Sequence, residues 1–202
     1  MSKSELVDTV VRCEWEDFSQ VREGESVSGH LRRPETFARA RSAVFATWSD
    51  ELLESYLEDM QNARGCGRSL MAERFEWTME TVDPTRFSKV AMLPMLPYET
   101  CERIEHIIKF SLLWRVQALT LYPHVARDGR PLISEEDCSG TASYETYLRA
   151  SLKTCSPRTV KLFDRHVMKS WVDGRNLAVE ALDNLAAAYG YRDAADAEAH
   201  AA

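Results

Sequence analysis

CERIEHIIKFSLLW, residues 101–114, is the stretch on which the fold turns. It sets Glu102, Glu105, His106 and Lys109 into a segment whose other positions are almost all apolar. Extended to its natural limits, the segment reads as one helix from about Tyr98 to Tyr122, hydrophobic on nearly every side after Ile107. A helix of that kind belongs at the centre of a bundle, with its neighbours wrapped around it. The expected fold is therefore all-α, a single-domain multi-helix bundle with a long central apolar helix.

The rest of the chain agrees with helical periodicity. Strict alternation of apolar and polar residues over more than four positions is hard to find, so strands are not supported. Leu6, Val10, Cys13 and Phe18, flanked by Val7, Val11 and Trp15, give a first helix from about Ser4 to Gln20. A polar loop, REGESVSGHLRRP, leads to Pro34, which suits the first turn of a second helix carrying Phe37, Ala40, Val44 and Trp48. Ser49 and Ser69 read as N-caps of a third helix ending at Gly65 and a fourth carrying Leu70, Phe75, Trp77 and Met79. Asp83-Pro84 opens a short helix, and MLPMLP, Met92 to Pro97, is an extended connector because each proline disfavours helix in the residue before it. After the loop HVARDGRPLISEEDCSG, helix returns from Ser143 to Thr154 and again from Ser156-Pro157, with Gly174 placed to bend or split the last segment. The domain is expected over residues 1–190, with 191–202 a disordered tail too poor in apolar surface to order itself.

Composition narrows the function classes. The chain has 202 residues, 45% hydrophobic and 28% charged, the balance of a soluble globular protein. No apolar run approaches the roughly 20 residues that span a bilayer, and the N-terminus has no apolar signal core. No membrane partner is expected. A net charge of −7 opposes a phosphate backbone, so no nucleic-acid partner is expected either, the Arg32–Arg33 pair being the one local cluster of the opposite sign. The five cysteines are odd in number, scattered and without a CxxC, which places the chain in a reducing cytoplasm.

Three blocks carry a family resemblance: W-x-x-E-L-L-x-S-Y over Trp48 to Tyr56, G-R-x-L-x-x-E over Gly67 to Glu73, and E-T-Y-L-R over Glu145 to Arg149. In this order the chain resembles, from Trp15 to about Phe163, a family of bacterial proteins known only as a domain of unknown function. The family pattern has Asn where Ser69 stands, and a Gly-Glu pair where Ala150 and Ser151 stand. The resemblance implies no activity, cofactor or metal.

Chemistry must come from the residues themselves. Glu102 and His106 stand i,i+4 on one helix face, the spacing of a helical ligand or acid–base pair. Without a Glu-x-x-His motif, a metal would need His166, Glu73 or Glu80 brought alongside, and no metal ligand set is assigned. The plainer reading pairs Glu105 with Lys109 and sets Glu99 and Glu102 against the positive helix start. GCGRS, Gly65 to Ser69, reads either as an anion cradle or as a helix end, a turn and a cap. Glu73, Arg74, Trp77, Trp114, Tyr147 and Arg149 combine aromatic walls with charged groups, the make-up of an inter-helix pocket for a small anionic or zwitterionic ligand. If chemistry occurs there, His106 is the candidate general base with Glu102 beside it, and Arg74 and Arg149 are the anion clamps. The alternative is a structural or interaction protein, a homodimerisation module that buries surplus aromatic surface without a ligand.

Overall fold

Short polar side chains start the helices. The computed structural model describes residues 1–20, 33–90, 93–127, 129–138 and 140–201. The loop expected from Arg22 lies, up to Arg32, outside the described residues, as do Ala91 and Met92 at the head of the connector. Ser2 caps α1 (Lys3–Ser19) in a capping box with Glu5, and Pro34 opens α2 (Pro34–Phe45). Ser49 caps α3 (Asp50–Gly65), and Ser69 caps α4 (Leu70–Val82), which is followed by α5 (Pro84–Val90). After residues 93–97 comes α6 (Tyr98–Leu121); Ser143 caps α7 (Tyr144–Lys153) and Ser156 caps α8 (Pro157–Val172). Asn176 caps α9 (Leu177–Ala188), and α10 (Ala194–Ala201) closes the chain.

The described residues form a single all-α domain with one hydrophobic core. Val10, Phe45, Leu52, Leu53, Ile104, Ile107, Val160 and Val167 are fully buried at its centre. Helix α1 packs on α2, α3 and α4; α3 also meets α8, α2 meets α9, and α4 meets α7. Gly67, at φ +70°, lets α3 end in a Schellman turn: Arg68 N–H donates to Ala63 O (2.8 Å) and Gly67 N–H to Arg64 O (3.0 Å). GCGRS is thus a helix stop and a cap: the Cys66, Gly67 and Arg68 amides close α3, and the Ser69 hydroxyl accepts from the Ala72 amide (3.0 Å). Gly174, also at φ +70°, closes α8 in the same way and splits the last segment into α8 and α9.

Two expectations are corrected. Helix α6 is not wrapped on all sides: it packs against α7, α8 and α9 through Ile104, Ile107, Ile108, Ser111, Trp114 and Ala118, while Leu113, Val116 and Leu121 stay exposed. Among the described residues its neighbours lie on one side only, so an all-round apolar sequence leaves a bare outer face. Residues 194–201 are helical, not a disordered tail. Ala194 and Ala197 are buried, and Glu198 accepts hydrogen bonds from the His124 and Val125 amides (2.9–3.1 Å). Side-chain acceptors, not apolar bulk, hold this helix.

Charged residues interrupt three of the apolar stripes. Glu14 follows Leu6 and Val10 on α1, Arg41 lies between Phe37 and Phe45 on α2, and Arg74 lies between Leu70 and Thr78 on α4. All three turn inward and meet. Arg41 forks onto Glu14, Nε to Oε2 at 2.6 Å and Nη2 to Oε1 at 2.9 Å. The Tyr56 hydroxyl donates to Glu14 Oε1 (2.6 Å), and Arg74 Nη2 lies 3.6 Å from the same oxygen. Arg74 also donates to the Tyr56 oxygen (3.3 Å) and the Tyr147 oxygen (3.1 Å), so α1, α2, α3, α4 and α7 share one polar centre. Burial pushes the Glu14 carboxyl up, but the charges of Arg41 and Arg74, with hydrogen bonds from Arg41 and Tyr56, outweigh it and hold the group below the ordinary carboxylate range. At Tyr147, burial opposes ionisation, and the charges of Arg74 and Arg41 outweigh it and bring the phenol below its ordinary value.

Removing one partner of a buried charge set costs more than the set contributes, because the charge left behind has neither water nor counter-ion. Glu14→Gln is expected to lower stability by about 3–5 kcal/mol, read from urea unfolding midpoints. Arg158→Ala, which frees the exposed Glu58, is expected to lose about 0–1 kcal/mol. Because the folded carboxyl of Glu14 titrates below the unfolded one, its contribution is complete above an unfolded value of about 4.3. It is lost as pH falls through the lower folded value. The acid branch of the stability curve should therefore be shallower in Glu14→Gln than in the parent.

Candidate functional site

The first two turns of α6 carry Glu99, Glu102, Arg103 and His106 at i, i+3, i+4 and i+7, one face of the helix. The opposite face, Thr100, Ile104, Ile107 and Ile108, is buried and fixes the rotation of the helix. Helix α8 lies against α6 and buries Val160, Phe163 and Val167, which sets Asp164 on the flank facing the polar stripe. Glu99, Glu102, Arg103, His106 and Asp164 together line an open hollow of about 430 Å³.

Asp164 organises it. One carboxylate oxygen lies 2.5 Å from His106 Nδ1, and the other accepts from Arg103 Nη1 at 3.2 Å. With Nδ1–H donated to Asp164, Nε2 carries the imidazole lone pair, the arrangement by which a carboxylate orients a general base. The Phe110 ring stands edge-on to His106 with centroids 5.0 Å apart, and Trp171 continues the aromatic row 4.9 Å from Phe110. On the far rim, the hydroxyl of Tyr98 bonds the Glu102 carboxylate, whose acceptance and charge raise the phenol's pKa.

The residues named from sequence divide between this hollow and other places. Glu102 and His106 share it. Arg74 and Tyr147 meet in the polar centre, with Arg130 lying 4.7 Å from the Tyr147 ring on its own account. Glu73 is forked by Arg68 at 2.7 and 2.8 Å. Trp77 lies under the Lys153 ammonium (4.5 Å), with its indole N–H buried and unpartnered among the described residues. Trp114 is buried, 6.2 Å from Trp171. Arg149 forks Glu105 at 2.8 Å and also holds Glu145 at 2.7 Å, so Glu105 pairs across to α7 and not along α6 with Lys109. Arg74 and Tyr147 share a contact, the other four side chains sit in contacts of their own, and none of the six lines the hollow at Asp164. His166 turns to the Thr47 carbonyl (3.0 Å) and Glu80 to Lys153, so neither stands beside His106. Among the described residues no group of three His, Cys, Asp or Glu side chains is arranged to hold a metal ion.

Sequence reading missed Asp164, Arg103 and Glu99 in the hollow, and Glu14 and Arg41 in the interior. Glu99 and Arg103 carried a usable signal, their helical register with Glu102 and His106. So did Glu14 and Arg41, as charges sitting on apolar stripes. Asp164 carried none, because it is 58 positions from His106 and only packing brings it there.

If Asp164 sets the imidazole, Asp164→Ala should change its tautomer. Long-range ¹H–¹⁵N correlations, followed to the alkaline plateau of the ring signals, are expected to show Nδ1–H for His106 in the parent and a large Nε2–H population in the variant. The same tautomer in both proteins would show that Asp164 does not orient the ring.

Comparison with known proteins adds family membership and no activity. No curated protein and no solved structure matches the chain. No described helix is long and apolar enough to cross a membrane. A family described as "Protein of unknown function (DUF4125)" matches residues 4–199, nearly the whole chain, and the protein belongs to that family.

Proposed function

We propose that the hollow between α6 and α8 binds a small zwitterionic ligand and that His106 acts on it as a general base. The observation that supports this reading is the Asp164 carboxylate spanning His106 and Arg103 at the edge of an open hollow. Arg103 spends one nitrogen on Asp164, which leaves guanidinium donors for a ligand carboxylate. Glu99 and Glu102, on the same rim, suit an ammonium group. Phe110 and Trp171 supply an apolar wall next to the imidazole. The oriented imidazole, with Nε2 unengaged among the described residues, is placed to take a proton from the bound molecule. The five cysteines are unpaired, and burial, foremost, pushes the Cys155 thiol up to about 12. Such thiols suit a reducing compartment, and we assign the protein to the cytoplasm on that ground.

Proteinogenic amino acids serve as zwitterion probes. Added singly to labelled protein, at least one is expected to give saturable shifts of the His106 ring signals, weakened about tenfold or more by Arg103→Ala or Glu102→Gln. Should no amine-bearing acid perturb those signals, the reading fails.

A second reading is favoured by one observation, the bare outer face of α6. Leu113, Val116 and Leu121 are exposed there, and Trp171 and Val172 of α8 stand beside the same helix pair at 40% and 77% exposure. Two copies related by a two-fold axis would cover these residues with each other. Light scattering behind size exclusion is expected to give the mass of a dimer for the parent and of a monomer for Val116→Glu. A monomeric parent at high concentration removes this reading.

A further inference from the structure

The buried polar centre holds an uneven set of charges. One carboxylate, Glu14, faces two guanidiniums, Arg41 and Arg74, and no other carboxylate among the described residues bonds either arginine. One positive charge is therefore left over. Arg74, at 3% exposure, carries it furthest from water, and its Nε is buried without a partner among the described residues. A charge so placed lacks both hydration and a full counter-ion, which draws an acidic group within reach toward its anionic form.

Two phenols are within reach, and geometry separates them. Tyr56 spends its proton on Glu14 Oε1 at 2.6 Å, so its ionisation would set a second anion against the carboxylate. Tyr147 accepts from Arg74 Nη1 at 3.1 Å and has no bond to Glu14. The guanidinium of Arg74 also lies 5.5 Å from the Tyr147 ring, and that of Arg130 4.7 Å. The other charged groups brought against α7 have partners of their own. Glu105 of α6 is forked by Arg149, which also holds Glu145, and Arg115 of α6 lies against the Tyr144 ring. Glu80 of α4 pairs with Lys153, while Glu136 and Asp137 of the preceding loop accept from backbone amides. Cys155, ahead of α8, stays a thiol, pushed up to about 12 by burial first of all. The two phenols move apart as this geometry requires. Burial and then Glu14 push Tyr56 up, whereas at Tyr147 burial is outweighed by Arg74 and Arg41, which bring the phenol down.

We infer that Tyr147 is the proton-releasing group of this interior, ionising ahead of the other tyrosines as pH rises, and that its phenolate, held by Arg74, clamps α7 to α4. The O–H bond breaks, the electron pair stays on the phenol oxygen, and the proton leaves to solvent hydroxide as water. The Arg74–Tyr147 hydrogen bond then joins opposite charges, and the surplus charge of the centre is answered. Helix α7 in turn seats the loop before it: the Tyr144 and Glu145 amides donate to Pro131 O and Leu132 O, and Asp137 accepts from the Thr146 hydroxyl. The clamp thus reaches the α6–α7 connection. It is separate from the hollow at His106 and does not depend on the function proposed for it.

Phenolate absorbance of the intact folded protein, followed against pH, tests the assignment. Of seven tyrosines, one is expected to ionise ahead of the rest in the parent. That early phase is expected to vanish in Tyr147→Phe and to remain in Tyr98→Phe, which removes an exposed phenol. In urea all seven should ionise together near the ordinary value of about 10. Because the folded phenol titrates below the unfolded one, its stabilisation is complete above an unfolded value of about 10 and is lost as pH falls through the lower folded value. Across that interval the urea midpoint of the parent should rise relative to that of Tyr147→Phe. If Tyr147→Phe does not fold, the ¹³Cζ signal of Tyr147 in the labelled parent decides, and it is expected to reach its phenolate position before that of any other tyrosine. An early phase that survives in Tyr147→Phe, a parent without one, or a Tyr147 ring that keeps its proton until the others have ionised overturns the inference.

Discussion

Glu14 is 2% exposed and carries a full negative charge in the interior of a helical bundle. Such a group survives only with its charge answered nearby, and here the answer comes from other helices: Arg41 from α2, Tyr56 from α3 and Arg74 from α4. The apolar faces alone would accept many rotations and offsets of helix on helix. A carboxylate that must meet two guanidiniums and a phenol accepts few. This polar centre fixes the register of the first four helices and, through Tyr147, the seat of α7.

The placement of α7 in turn governs the surface chemistry. Arg149, two residues beyond the Arg74-bound Tyr147 on the same helix, forks Glu105 of α6 and holds the two helices at a fixed azimuth. The polar stripe of α6 is thereby turned toward α8, where Asp164 meets it. On the opposite flank, the Tyr147 ring lies between interior and surface, with Arg74 at its hydroxyl and Arg130 against its ring. One tyrosine thus connects the buried charge set to the loop between α6 and α7.

Helix punctuation was legible because it is local. Ser49, Ser69 and Ser156 cap helices within three residues of themselves, and Gly174 ends one through its own backbone. Side-chain pairing across helices was not legible, since period and composition carry no partner identity. Reading charged residues as solvated kept Glu14 and Arg41 out of the expected core. Leu113 and Val116, read as core, turned out exposed, because hydrophobicity does not reveal how many neighbours a helix will have. The tail misled for the opposite reason: its alanines bury little, yet Glu198 finds two loop amides to hold it. At the hollow, the i,i+4 spacing of Glu102 and His106 was visible along the chain, while Asp164 required the packed α6–α8 pair.

Helix α6 runs past two cavities, the hollow lined by Arg103 and a cleft of about 240 Å³ lined by Arg115 and Tyr144. Twelve residues of unbroken helix between them amount to roughly 18 Å of axial rise. That exceeds the Debye length of about 8 Å at physiological salt. The helix is then a rigid ruler that insulates one charged cavity from the other. A charge placed in one cavity is screened from the other, and a molecule touching both has to be built to that length.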